Sequence, residues 1–414
     1  MCLNKLIFLY TLLLASFIPA YGKRILVHPN LGKKPIHVAI SQSKPFDTIL
    51  IYPGKYFEGN ISITQPLTII GINYPCLDGQ NKVELISVQA NDVTIKGLKL
   101  INSGYSDLED MAAIRIYGKK HVTIDSNILL TNFFGVYLTN ASYCRVQNNI
   151  IIGPDRDQNN LGNGIHCWKS THNYIINNRI SHHRDGIYFE FVKHSFIANN
   201  YSEKNQRYGL HFMFSDSDTY IHNTFINNGA GVAVMYSQKV LMLRNNFVLN
   251  WGSSAYGLLL KDIRDSKVLN NTFQKNTMAI YMDGCSRSTF IANKFLNNGY
   301  ALRMQASCDD NVFRFNNFFS NTFDYATNGF TVLNTINYNF WDKYQGYDLA
   351  KDGIGDICFR PMNLLTGVIE EYPTSILLVQ SFLADLLNVL EKVIPSLTPE
   401  NLRDDHPLMK PVLC

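Results

Sequence analysis

Short runs of alternating apolar and polar residues recur along the 414-residue chain. Nine of them align: "AIRIYG" at 113, "GVYLTN" at 135, "GIHCWK" at 164, "GIYFEF" at 186, "GLHFMF" at 209, "GVAVMY" at 231, "GLLLKD" at 257, "AIYMDG" at 279 and "ALRMQA" at 301. Their second column (Ile114, Val136, Ile165, Ile187, Leu210, Val232, Leu258, Ile280, Leu302) is aliphatic throughout. Their fourth (Ile116, Leu138, Cys167, Phe189, Phe212, Val234, Leu260, Met282, Met304) is apolar throughout. Period two over a short run predicts a strand with one buried face. Helical spacing is absent from these runs, which disfavours helical and leucine-rich repeats.

An Asn recurs at 127, 149, 178, 200, 223, 246, 271, 293 and 316. A period in the low twenties signals a solenoid. A second short strand in each unit ends in Asn, as in "SFIANN" and "LMLRNN". Stacked Asn side chains bond along the axis and let a coil turn sharply without stranding an amide. Three short strands per coil predict an all-β fold: a single-stranded right-handed parallel β-helix, a CASH-type solenoid. Gly or Ala in the first column suits the tight corner before each strand.

The expected organisation has four parts. Residues 1–22 read as a signal peptide: Lys5, the apolar run Leu6–Ile18, then Ala20-Tyr21-Gly22 as a small-x-small cleavage site. Residues 23–345 form the β-helix, with an outward insertion at 153–163. Residues 346–374 are an Asp/Gly-rich closing segment. Residues 375–414 carry an amphipathic helix, with Leu383, Leu386, Leu387, Leu390 and Ile394 at helical spacing and Pro395 as its stop. That helix either caps the solenoid or docks a partner.

Charge narrows the function classes. Charged residues make up 17% of the chain and the net charge is +4. Nucleic-acid binding, which needs a clustered basic footprint, is disfavoured. Removing the signal leaves Cys76, Cys144, Cys167, Cys285, Cys308, Cys358 and Cys414. An odd count without CxxC does not read as a disulfide framework. Cys285 and Cys308 are the most plausible pair, and Cys167 belongs to the core.

If columns two and four point inward, three and five point out. Column three then holds His166, Tyr188, His211 and Ala233; column five holds Glu190, Met213, Met235 and Lys261. His211 and Met213 share one strand, Met235 lies one coil above Met213 and Glu190 one coil below, and His166 is two coils below His211. Two thioethers and an imidazole suit a soft ion, and thioether sulfur favours Cu(I). His211, Met213, Met235, His166 and Glu190 are therefore copper candidates; the competing reading is a loop-covered Met pair. A rival cluster further along the face, Lys261, Tyr281, Asp283 and Arg303, suits a polysaccharide lyase or epimerase, or a carbohydrate-binding module. Asp348, Asp352 and Asp356, with Gly353 and Gly355, are calcium candidates, although Ala350 breaks the strongest calcium-loop pattern. The alternative there is a turn closing the solenoid.

The segments "DGIYFEFV", "RYGLHFMFSDSD", "NNGAGVAVMYS", "YGLLLKDI", "NFWDKYQGYD" and "HPLMKP" resemble the NosD family of periplasmic accessory factors for nitrous oxide reductase maturation. The resemblance runs through nearly the whole mature chain. It implies a non-enzymatic, copper-binding β-helix of the periplasm. It implies work with an ABC-type ATPase and a membrane permease in assembling the copper–sulfur centre of nitrous oxide reductase, with Cu(I) received from a copper chaperone lipoprotein. The C-terminal helix would then dock on the permease, giving peripheral membrane association. The ATPase and channel would be other chains, because the sequence has no Walker A motif and no span after residue 22.

Overall fold

The computed structural model describes residues 22–106, 109–154, 161–253, 255–329, 333–379, 381, 382, 384, 386, 387 and 402–413. Residues 1–21, which hold most of the expected signal peptide, lie outside the described residues, as do 155–160 of the insertion. The chain winds into a right-handed parallel β-helix with three faces, sheets of 14, 12 and 13 strands, each strand pairing with its equivalent one coil away. Every pairing between named strands is parallel, from Arg24↔Thr48 at the first coil to Phe318↔Trp341 at the last.

Columns two and four of the nine aligned strands fill the interior, with Ile114, Val136, Cys167, Phe189 and Leu260 fully buried. A second face contributes an internal ring stack, Phe225–Phe247–Phe273–Phe295–Phe318–Trp341, with centroids 5.6, 4.6, 5.2, 4.7 and 4.0 Å apart. Each such pair adds about 0.5–1.5 kcal/mol beyond area burial.

Buried Asn rungs hold the corners. Asn149 Oδ1 accepts from the backbone N–H of Asn127 at 2.9 Å and from its Nδ2 at 3.1 Å, and the motif repeats up the stack to Asn339. One rung differs from the expected series: Asn245, not Asn246, bonds Asn223 and Asn271. The rung follows a residue in the left-handed region, here Arg244 at φ 53°, so the spacing is set by the turn and Asn246 already begins the next strand. A second column, Asn205–Asn228–Asn250–Asn276–Asn298–Asn321, was not anticipated.

Both ends are capped, as exposed sheet edges require. The helix α1 (Pro35–Gln42) sits within the region expected to hold only first coils, and it puts Ile36 and Ala39 into the core. Glu58 accepts from the N–H groups of Ile36 (3.1 Å) and His37 (3.3 Å) at its first turn. At the other end, Asp404 receives the last Asn rung: Asn339 N–H at 2.9 Å, Tyr338 N–H at 3.0 Å and the Trp341 indole at 3.0 Å. The tail is thus a cap.

A short helix α2 (Leu364–Glu371) precedes the helix expected from 375, and a 3-10 turn spans Pro373–Leu378. Leu365, Ile369 and Ala384 pack on Met278, Tyr300 and Phe323 of the solenoid. Leu383, Leu390 and Ile394 of the expected helix lie outside the described residues. Leu377 and Phe382, at 88% and 83% exposure, remain uncovered.

Candidate functional site

The 12-stranded sheet carries the copper candidates in the expected register. Tyr188 pairs with His211 and Glu190 with Met213; His211 then pairs with Ala233 and Met213 with Met235. The neighbouring backbones stand about 4.8 Å apart, so the two thioethers start from adjacent positions. Lys261 follows above Met235.

The face is less open than column logic implies. Column three is buried although it points outward: His211 is 4% exposed, and His166 and Tyr188 are also buried. The bulky rings shield one another, with Tyr137–His166 at 4.3 Å, His166–Tyr188 at 4.8 Å and Tyr188–His211 at 4.9 Å between centroids. Tyr188 therefore separates the two imidazoles, and His166 does not converge with His211 on one ion. Asn163, at the root of the insertion, contacts His166 Nδ1 at 3.2 Å. Burial pushes the His166 imidazole down to about 3 and holds it neutral. The accessible row is column five, where Glu190, Met213 and Met235 are half-buried.

His211 is held in a way the sequence reading missed. Its Nδ1 lies 3.6 Å from Asp185 Oδ2 and 3.3 Å from an Arg207 guanidinium nitrogen. Asp185 is fully buried and takes both Arg207 Nε, at 2.8 Å, and Arg207 Nη2. Burial alone would raise the Asp185 carboxyl, but hydrogen bonds from Arg207 and His211 outweigh it and leave the carboxyl below its ordinary value. Nδ1 thus sits against the Asp185–Arg207 pair, which holds the ring in place. The ring's Nε2 is buried and has no hydrogen-bond partner. An imidazole held through one ring nitrogen leaves the other to serve as a metal ligand. Next to it, the Tyr188 hydroxyl reaches Met213 Sδ at 3.8 Å. The donor set, one imidazole nitrogen and two thioethers, fits Cu(I). The sequence signal lay in "RDG" and "QRYG": Asp185 opens its strand and Arg207 ends the bend before the next, both just ahead of the column-one glycines and 22 residues apart.

Beside the Met row, Phe191, Phe214 and Tyr236 form an exposed ring ladder with centroids 5.2 and 5.0 Å apart. They immediately follow Glu190, Met213 and Met235 in sequence.

The rival cluster is committed elsewhere. Arg303 is bonded through Nε and Nη2 to Glu370 of α2 at 3.1 and 2.9 Å. Asp283 accepts from the Ser307 hydroxyl at 2.9 Å. The C-terminal segment thus lies over the strip a uronate substrate would need. The calcium candidates are also turned to local work. Asp348 accepts from the N–H groups of Asp352 (3.2 Å) and Gly353 (2.8 Å), and Asp356 from that of Leu349 (2.6 Å). Among the described residues, no three His, Cys, Asp or Glu side chains gather as a metal cluster. The three Asp side chains brace a turn.

Residues 153–346 match the family model described as "Periplasmic copper-binding protein (NosD)". A protein of Pseudomonas aeruginosa named "Probable ABC transporter binding protein NosD" is 30% identical, over 86% of this chain and 87% of its own length. A protein of the same name from Stutzerimonas stutzeri is 26% identical, over 86% of each chain. Among solved structures, the family 28 exopolygalacturonase of Yersinia enterocolitica superposes with a TM-score of 0.57 at 13% identity, covering 78% of this chain and 79% of that one. At that identity the likeness is one of fold. No helix among the described residues is long and apolar enough to cross a membrane.

Proposed function

The chain belongs to the NosD family, and from that premise we propose that it is a periplasmic Cu(I)-handling scaffold, exported by its N-terminal signal, which receives copper from a chaperone and passes it on. Its role is to help assemble the copper–sulfur centre of nitrous oxide reductase within an ABC-type complex. His211 Nε2, Met213 and Met235 hold the ion, with Glu190 at the edge of the site. The single observation that carries this reading is the unpartnered His211 Nε2, oriented by Asp185 beside an in-register thioether pair.

Three soft donors on a half-open row suit transfer, because an incoming protein can supply a fourth ligand and take the ion away. The ring ladder Phe191–Phe214–Tyr236 offers that protein an apolar edge next to the ion. The exposed Leu377 and Phe382 support docking of the C-terminal segment on a permease, with the ATPase bound to that permease. The carbohydrate reading is weaker because Arg303, its carboxylate clamp, already holds Glu370. The deciding experiment is anaerobic Cu(I) titration against a chromophoric chelator, comparing wild type with Met213→Ala/Met235→Ala. Loss of one equivalent supports the site; unchanged binding places copper elsewhere.

A further inference from the structure

Two cysteines that the Met row does not use lie in register on adjacent coils. Asp309 N–H donates to Cys285 O at 3.1 Å, and the next residues form the bridge Ser286↔Asp309. The Cys285 backbone N–H points at Cys308 Sγ at 3.4 Å. Both thiols are buried and free. They occupy a corner rung filled by serine in other coils: Ser170 Oγ accepts from Ala141 N–H, Ser215 Oγ from Val192 N–H, and Ser237 Oγ from Ser215 N–H. Serine satisfies the backbone at this rung, so folding does not demand sulfur here.

We propose that Cys285 and Cys308 form a second soft-cation site, binding one Cu(I) as a two-coordinate dithiolate. Neighbouring coils stand about 4.8 Å apart, a backbone spacing that a disulfide also tolerates, but both thiols are free in this structure. Two metal–thiolate bonds of about 2.3 Å, end to end, span about 4.6 Å. On binding, Cu(I) takes up one sulfur from each residue and two thiol protons leave to solvent, so the centre carries one net negative charge. The Cys285 N–H already aimed at Cys308 Sγ stabilises that charge.

The surroundings are soft and donor-rich. The fully packed thioether of Met304 accepts from Tyr325 Oη at 3.3 Å and from Asn334 Nδ2 at 3.2 Å, while the same Asn334 Nδ2 bonds Cys308 O at 3.0 Å. A surface cavity of about 450 Å³ is lined by Gly284 and Ser286, the residues on either side of Cys285. The site rests on the copper reading above only for the supply of the ion.

The test is anaerobic Cu(I) titration of the mature protein, reduced beforehand, with X-ray absorption at the copper edge. Wild type is expected to bind two equivalents. Cys285→Ser/Cys308→Ser, which restores the serine rung and keeps the fold, is expected to bind one and to lose the short copper–thiolate scattering. Met213→Ala/Met235→Ala is expected to bind one and to keep it. If the serine variant retains full stoichiometry, the site is overturned while the Met row stands or falls on its own variant. If the Met variant loses nothing and the serine variant loses one equivalent, this site stands and the Met row is overturned. A freshly isolated protein two hydrogens light at these residues, with neither thiol reactive until reduced, makes the pair a disulfide and overturns the proposal.

Discussion

Replacing Asp218 by Asn should stabilise the protein, and increasingly so as pH rises. Asp218 belongs to a corner column in which Asn173 N–H is accepted by Ser195 Oγ, and Ser195 N–H by Asp218 Oδ1 at 2.7 Å. Its other oxygen, Oδ2, is buried without a partner. Burial, with some repulsion from Asp216, pushes the carboxyl up to about 8 despite the Ser195 N–H. Because the folded value lies above the unfolded one near 4, the folded state holds a proton that the unfolded chain releases. Stability is therefore undiminished below about pH 4 and declines as pH rises towards 8. At 1.36 kcal/mol per unit, the loss between pH 5 and pH 7 is about 3 kcal/mol. Asn does not titrate, and it keeps the Oδ1 acceptor. At equivalent rungs the Asn Nδ2 also reaches a carbonyl one coil back, as Asn173 does to Ala141 O at 3.1 Å and Asn311 to Cys285 O at 2.9 Å. The new amide thus fills the orphan position for about 1 kcal/mol more. Paired urea denaturation of wild type and Asp218→Asn at pH 5 and pH 7 measures the difference. A stabilisation that grows with pH by 1–3 kcal/mol is expected. A pH-independent difference, or a destabilised variant at pH 7, refutes the account of a buried, protonated carboxyl.

Three further outcomes follow from single contacts. Asp404→Ala strands three N–H donors at the end of the solenoid (Tyr338, Asn339 and the Trp341 indole), so the last coils should lose about 2–5 kcal/mol and show fast amide exchange confined to residues after about 311. Asp185→Asn removes the carboxylate that orients His211. Cu(I) affinity at the Met row should fall about 10–100-fold, while the stoichiometry at Cys285 and Cys308 is unaffected. Glu370→Gln loosens α2 from Arg303, so proteolysis after residue 363 should accelerate while Cu(I) binding stays within experimental error.

Strand order and interior columns were legible in the sequence because a solenoid repeats one local decision. Each coil restates period two, and a register slip would turn Phe189, Phe212 and Leu260 to solvent. The caps were not legible because they occur once. The rung Asp404 is a carboxylate standing where ten coils use an amide, far from the repeat in sequence, and α1 carries only eight residues. The Asn246 rung was misplaced by one because "RNN" offers two amides, and only the left-handed residue before the rung chooses between them.

The candidate site divides along the same line. The juxtaposition of Met213 with Met235, and of His211 with Tyr188, followed from counting residues per coil. What makes His211 more than a stacked ring did not follow. Its carboxylate and guanidinium partners stand at the strand start and in the bend before it, outside the aligned columns, one coil apart from each other. Column logic also treats outward as exposed, which holds for small or charged side chains. It fails for Tyr137, His166, Tyr188 and His211, whose rings on neighbouring coils cover one another. That self-coverage dries the His211 side of the site while the flexible Met side stays in contact with solvent. A soft ion entering from the Met row would therefore reach a buried, partnerless nitrogen only at the inner end of its path. On the proposed reading, retention would depend on that nitrogen and release on the outer thioethers, so substitutions at His211 should slow or speed Cu(I) dissociation, read by stopped-flow transfer to a chelator, more than those at Met235.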